Sequence, residues 1–154
     1  MTTQVSETLL HEGQELQLRC EPLAQFAELG GSLPAFQASM TALWRGYIGT
    51  WEITQDRLYL IGVSGTLATG GHACLEDIFP GFPERVFAHW YSGTLLIPIG
   101  QRLKSHYERF RPVYEQDLLL EIDRGQLSDK RVRDNRARMA ELEQISIARQ
   151  RANV

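Results

Sequence analysis

Four residues of the central region have side chains that could bind a metal ion. The segment from 72 to 77 reads His-Ala-Cys-Leu-Glu-Asp, and His89 follows it. His72, Cys74, Asp77 and His89 could form a zinc site, because imidazole, thiolate and carboxylate groups all bind zinc. The chain lacks the paired two-ligand clusters that structural zinc sites contain. We therefore expect no metal and no other cofactor.

A cysteine nucleophile is the second chemistry to consider. Cys74 would need a neighbouring base or cation to form its thiolate, and His89 or His72 could supply one. The alternative is a buried Cys74 with no reactivity. We favour this alternative, because any chain with several histidines and cysteines permits such a pair.

Glu52 is the carboxylate best suited to general acid–base catalysis. It follows Trp51 on a predicted central strand, where partial burial would favour its protonated form. Arg45 could pair with Glu52 across the sheet, or with Glu121. A structural ion pair is the interpretation that we favour, because buried charges in sheets usually have partners.

Aromatic residues beside these groups could form a binding surface. Trp, Tyr and Arg commonly anchor protein interfaces, which makes Arg45, Tyr47, Trp90 and Tyr91 the binding candidates. Alternating aromatic residues in strands are more often part of a core. The catalytic candidates are Glu52, His89 and Cys74.

The segment from Trp44 to Leu60 predicts the strands that would position these groups. Residues 43 to 53 are rich in aromatic and β-branched types, and the polar residues 54 to 57 separate them from an apolar run, as in a β-hairpin. Because side chains alternate across a strand, Trp44 and Trp51 fall on opposite faces. The pattern predicts a central strand covered on both sides, with both tryptophans buried. Gly46 and Gly49 predict a bulge or a close approach of another backbone.

Turn signals predict two more hairpins. Glu12-Gly13 separates two alternating segments, and residues 123 to 125 predict a three-residue turn that ends with glycine. The run that begins at Val86 predicts one strand with a bulge or two short strands. Pro98 is expected to end it, because proline cannot donate to a sheet ladder.

Two helices are expected. Pro22 to Leu29 can form a short helix, because proline suits its first turn and Gly30-Gly31 can cap its end. Residues 135 to 152 contain no glycine or proline and have apolar residues at threefold spacing, and Asp134 can cap them. The predicted fold is β-rich α+β: a single compact domain of antiparallel strands over residues 1–132, with a C-terminal α-helix over residues 133–154 attached to the same domain.

Five blocks of sequence stand out along the chain. They are WRGYIGTWEI from 44, RLYL from 57, VFAHWYSG from 86, IPIG from 97 and YEQDLLLEI from 114. Together they resemble the recurring blocks of a family of small uncharacterised bacterial proteins, over roughly residues 8 to 132. The resemblance implies a compact bacterial domain. It implies no activity and no site residues.

Composition excludes some classes of protein. The chain has 154 residues, 43% of them hydrophobic, and a formal net charge of −3, which is ordinary for a globular protein. The N-terminus has no basic start followed by an apolar core, and no apolar run approaches the ~18 residues of a membrane span. We therefore expect a cytoplasmic protein with no membrane contact, and its two cysteines are expected to be reduced.

The charges are not evenly distributed. Seven Lys or Arg residues lie between 130 and 151, but acidic residues alternate with them, which is typical of a solvated helix face. The overall acidic balance makes nucleic-acid binding an unfavoured function. The sequence does not indicate an oligomeric state.

Two functions remain. The first is a non-enzymatic protein-binding module, such as a bacterial immunity protein that neutralises a toxin or effector. The acidic body could steer it onto a basic partner. The alternative is a small hydrolase or ligand-binding enzyme with a polar cleft near Arg45, Glu52 and His89, together with Tyr91. A pocket with convergent polar groups would favour the enzyme, and an exposed aromatic or acidic patch would favour the binding module.

Overall fold

The computed structural model describes residues 4–38, 40–103 and 113–152, and confirms a β-rich α+β fold with a C-terminal helix. The strands are β1 Glu7–His11, β2 Gln14–Leu18, β3 Tyr47–Thr54, β4 Arg57–Gly65, β5 Val86–Phe87, β6 Gly93–Leu103, β7 Val113–Asp123 and β8 Gln126–Asp134. The helices are α1 Pro22–Glu28 and α2 Arg136–Ala152, with short 3-10 turns at Thr41–Leu43 and Leu75–Asp77.

All these strands belong to one curled sheet. The order is β2-β1-β3-β4-β8-β7-β6, and β5 pairs with β4. The pairs are antiparallel except for β1 and β3, which run parallel with Thr8 opposite Thr50. The N–H of Arg19, directly after β2, donates to the Leu96 carbonyl in β6 at 2.9 Å. The sheet therefore curls until the two ends of its strand order meet.

The core fills the inside of this curled sheet. In β3, the side chains of Tyr47, Trp51 and Ile53 are buried and the intervening positions are only partly buried. Trp51 is 0% exposed and meets the edge of the Trp90 ring at 6.3 Å between centroids. Helix α1 covers one side, where the Trp90 Nε1–H donates to the Pro22 carbonyl at 2.9 Å.

The prediction that Trp44 is buried on the second face of this strand is wrong. Trp44 is 76% exposed, and it lies before β3, at the end of the 3-10 turn Thr41–Leu43. Its φ and ψ of −59° and −38° are helical, so the alternation of a strand does not extend to it. The buried side chains of β3 all lie on one face of the strand.

Of the three predicted hairpin turns, one has its predicted length and two are shorter. Glu12-Gly13 and Gln55-Asp56 are two-residue loops, with all four residues at positive φ as type I′ turns require. The predicted three-residue turn at 123–125 is also wrong, because Asp123 pairs with Gln126 and leaves a two-residue loop.

Pro98 does not end its strand. β6 continues to Leu103, with Pro98 opposite Asp117 of β7. β6 has a ladder partner only in β7, and the Arg19–Leu96 hydrogen bond joins its other side to the end of β2, so a residue without an N–H group is tolerated there.

Both predicted helices are present. The Asp134 carboxylate accepts from the Arg136 N–H at 2.9 Å, so it caps the first N–H of α2 from two residues before the helix, as the last residue of β8. Hydrogen bonds from the Arg136 side chain and backbone lower the pKa of Asp134 to about 2. The described side chains of α2 are exposed, including Ile145 and Ile147. Neither α1 nor α2 is long and apolar enough to cross a membrane.

The two tryptophans near β3 give a matched pair for testing the fold. Trp51→Ala removes a fully buried ring and is expected to lower the free energy of unfolding by about 3–5 kcal/mol. Trp44→Ala removes an exposed ring and is expected to change it by less than about 0.5 kcal/mol. Urea unfolding followed by far-UV circular dichroism measures both. Equal losses in the two variants would contradict the one-sided packing of β3.

Candidate functional site

The buried ion pair between Glu7 and Arg45 is the most enclosed charged group that the structure describes. The Glu7 side chain is 0% exposed and the Arg45 side chain 10%. Arg45 Nη2 donates to Glu7 Oε2 at 2.8 Å and to the Val5 carbonyl at 2.9 Å. The Gly49 N–H also donates to Glu7 Oε2, at 2.6 Å. Arg45 therefore pairs with Glu7 and not with Glu52 or Glu121.

The parallel pairing of β1 and β3 places this carboxylate over Gly49. A Cβ atom at Gly49 would lie 2.7 Å from Glu7 Oε1 and 2.8 Å from Trp51 Nε1. Those separations are too short for any side chain, so the site requires glycine. The predicted close approach at Gly49 is therefore present, but the approaching group is a side chain from β1.

Burial sets the protonation of the groups around the pair. It raises the pKa of Glu7, and the hydrogen bond and charge of Arg45 oppose that rise. Burial and the Glu7 charge raise the pKa of the Tyr47 phenol well above its usual range. Burial likewise raises the pKa of the Cys20 thiol. The phenol and the thiol stay protonated near neutral pH, which makes both poor nucleophiles.

A cavity of about 90 Å³ lies beside Glu7. It is lined by Ser6, Gln17, Cys20 and Tyr114 among others. Ligand pockets usually measure about 300–1,000 Å³, so this cavity has room for a few water molecules and not for an organic substrate. Glu7 and Arg45 are therefore a structural ion pair.

The aromatic binding candidates lie in the core. Tyr47, Trp90 and Tyr91 are all buried. Trp90 stacks on Phe79 with 5.3 Å between ring centroids, and its edge faces Trp51. These three rings are not available as a binding surface in this structure.

The other catalytic candidates lie apart from the ion pair. Cys74 is exposed, so the prediction of a buried thiol is wrong, and both cysteines are free. Its N–H donates to the Asp77 carboxylate at 2.7 Å in the 3-10 turn Leu75–Asp77. His89 and His72 are also exposed. Within the described ranges, no three His, Cys, Asp or Glu side chains are grouped so that they could hold a metal ion.

Glu52 lies in an open groove at one end of the sheet, which we call the acidic groove. Because β1 and β3 are parallel, the turns that follow them lie at the same end of the sheet. The groove between these turns has a volume of about 750 Å³. It is lined by residues 10–15 and 52–56, and neither Arg45 nor His89 lines it.

The lining of the acidic groove carries one sign of charge. The described residues that line it include Glu12, Glu15, Glu52 and Asp56, and none of them is a Lys or Arg. His11, the last residue of β1, also lines it. A lining of this kind favours cationic groups.

Trp44 is one of three exposed apolar side chains on two hydrogen-bonded segments, a feature that strand alternation did not predict. We call Val5, Met40 and Trp44, all exposed, the tryptophan patch. Three hydrogen bonds join the two segments that carry it. The Trp44 N–H donates to Gln4 Oε1 at 2.8 Å, Gln4 Nε2 donates to the Thr41 carbonyl at 2.8 Å, and the Val5 N–H donates to the Ala42 carbonyl at 2.7 Å.

Comparisons of the chain with protein-family models, curated proteins and solved structures find no match. The resemblance of its sequence blocks to a bacterial family therefore stays a prediction, and candidate functions rest on the geometry described above.

The ion pair predicts how stability depends on pH. In Arg45→Met, the buried Glu7 loses the cation that opposes the rise of its pKa, so its folded pKa moves further above the value of about 4.5 expected in the unfolded chain. A carboxyl group with a raised folded pKa contributes stability below the unfolded pKa, and that contribution is lost as the pH rises through the folded pKa. We expect the free energy of unfolding of Arg45→Met to fall from pH 4.5 upward, by about 1.4 kcal/mol for each unit of additional shift.

The double variant Glu7→Gln/Arg45→Met is the control, because it keeps the Met but removes the titrating group. Urea unfolding of both variants between about pH 4 and 8 isolates the contribution of Glu7. Parallel pH profiles in the single and double variants would contradict a buried, titrating Glu7.

Proposed function

We propose that this protein is a non-enzymatic protein-binding module whose contact surface includes the tryptophan patch. The observation that carries this proposal is the 76% exposure of Trp44 on a backbone fixed by hydrogen bonds. Tryptophan is usually well buried in monomeric proteins and is enriched among the residues that dominate binding energy at interfaces.

The fixed backbone supports this role. Gln4 bridges the N-terminal segment to the Thr41–Leu43 turn, and Arg45 holds the Val5 carbonyl from the other side. Ordering flexible segments reduces binding affinity, so a surface that is already ordered binds at a lower entropic cost. The backbone at Trp44 is thus fixed before any partner arrives.

The class of partner that we propose is a bacterial toxin or effector, which the protein would neutralise in the cytoplasm in the manner of an immunity protein. The net charge of −3 supports a basic partner, because opposite charges accelerate encounter.

The alternative is a small hydrolase or ligand-binding enzyme near Arg45, Glu52 and His89. Glu52 in the acidic groove supports a ligand site, since the groove is as large as a typical small-molecule pocket. Against it, Arg45 is bound to Glu7, and neither Arg45 nor His89 lines that groove. The separation of these groups favours binding over catalysis.

Site-specific photo-crosslinking tests the proposed function. A photoreactive residue in place of Met40, which leaves Trp44 intact, is expected to capture a partner protein in the bacterium that carries the gene. The affinity of the purified partner for Trp44→Ala is expected to fall about 30-fold or more, the loss of 2 kcal/mol that defines a binding hot spot. Thermal unfolding should be unchanged.

Phe82 provides the matched control, because it is an exposed aromatic residue in the loop before β5. Phe82→Ala is expected to leave the affinity within about twofold. Equal effects at positions 44 and 82, or multiple-turnover chemistry that Glu52→Gln or His89→Ala abolishes in a folded variant, would contradict the binding module.

A further inference from the structure

We propose that the acidic groove binds an exposed segment rich in lysine or arginine on the protein partner. This inference rests on the proposed function in one respect: that function is the reason for placing the basic segment on a protein. The groove itself, its charge and its unsatisfied histidine are independent of the tryptophan patch.

The shape of the groove suits long cationic side chains. It lies between the two-residue turns Glu12-Gly13 and Gln55-Asp56, which project from the same end of the sheet. Its volume of about 750 Å³ is open to solvent and far larger than the 90 Å³ cavity beside Glu7. Extended Lys or Arg side chains can therefore enter from outside without a rearrangement of the strands.

The charge of the groove selects the sign of the ligand. Four carboxylates line the groove, and no lysine or arginine is among its described lining residues, although the whole chain has a net charge of only −3. Clustered carboxylates in a concave surface concentrate cations there. An anionic segment would be repelled by the same four groups.

His11 provides a second observation that points to a hydrogen-bonding ligand. Its side chain lines the groove and is 10% exposed, and neither Nδ1 nor Nε2 has a hydrogen-bond partner within the part of the chain that the structure describes. Nε2 lies 3.6 Å from Glu12 Oε1, so the ring edge is directed at a carboxylate of the groove. A buried polar atom without a partner is costly. Neither nitrogen is reached by solvent, so movement of the Glu12 side chain toward an incoming cation would open the imidazole acceptor, and guanidinium and ammonium groups carry only donors.

Lys130 shows that a cation already approaches the edge of the groove. Its Nζ lies 3.5 Å from Glu12 Oε1, with the side chain 45% exposed. An incoming basic segment would compete with Lys130 for this carboxylate. Removing the Lys130 charge should therefore strengthen binding.

The test uses a fluorescein-labelled hexa-arginine peptide and measures its anisotropy at low and physiological salt. Glu52→Gln/Asp56→Asn is expected to weaken binding about tenfold, and Lys130→Gln to strengthen it about two- to fivefold. His11→Phe keeps a ring without nitrogen atoms and is expected to weaken binding about threefold. Binding should weaken as salt screens the charges.

Glu76→Gln/Glu84→Gln is the matched control. It makes the same change of charge at two exposed acids outside the groove, and it is expected to leave the affinity within twofold. Equal weakening by the control and groove double variants would show general attraction to an acidic protein and overturn the proposal. Failure of Lys130→Gln to strengthen binding, in a protein that melts like the parent, would also overturn it.

The same peptide separates this proposal from the proposed function. Trp44→Ala is expected to leave peptide binding unchanged, because Trp44 does not line the groove. If Trp44→Ala weakens partner binding but the groove variants do not affect the peptide, the binding module stands and the groove proposal fails. If the groove variants weaken peptide binding but Trp44→Ala does not weaken partner binding, the role of the tryptophan patch is overturned and the groove proposal stands.

Discussion

The structure around the start of β3 depends on one constraint, the buried carboxylate of Glu7. A charge that is removed from water requires compensating partners, and Glu7 obtains them from Arg45, the Gly49 N–H and the Trp51 indole. These groups come from three positions around the start of β3. The first strand must therefore lie against β3, in a register that brings Glu7 over Gly49.

That register has two consequences for the surface. Arg45 also holds the Val5 carbonyl, so the N-terminal segment lies along the Thr41–Leu43 turn and Trp44 is left facing solvent. The parallel pairing of β1 and β3 places the turns that follow them side by side, and the acidic groove lies between these turns. One buried ion pair thus supports an apolar patch near one end of β3 and an acidic groove near the other.

Local patterns in the sequence predicted the elements whose determinants are local. Hairpins at Glu12-Gly13 and at 54–57, the short helix from Pro22 and the cap at Asp134 all depend on residues within a few positions of one another. The burial of Trp51 followed from strand alternation. The same rule failed for Trp44, because a 3-10 turn precedes β3 and a turn does not obey a two-residue period.

The site depends on pairings that a local pattern does not contain. Glu7 lies in a polar N-terminal stretch and gave no signal of burial, since its partners are 38 and more residues away. The glycine at position 49 was the one available clue, because it indicated a close approach without identifying the group. The parallel alignment of β1 with β3, and hence the groove, has no counterpart in the hairpin signals.

Hydrogen exchange in Arg45→Met tests most directly whether the ion pair holds both the first strand and the tryptophan patch. The backbone amides to follow are those of Val5, Trp44 and Gly49, with Leu120 in β7 as the reference. Our account predicts that exchange at all three becomes at least about tenfold faster relative to Leu120, because their shared anchor has been lost. Faster exchange at Gly49 with unchanged protection at Val5 and Trp44 would contradict it, since the patch would then be ordered independently of the buried carboxylate.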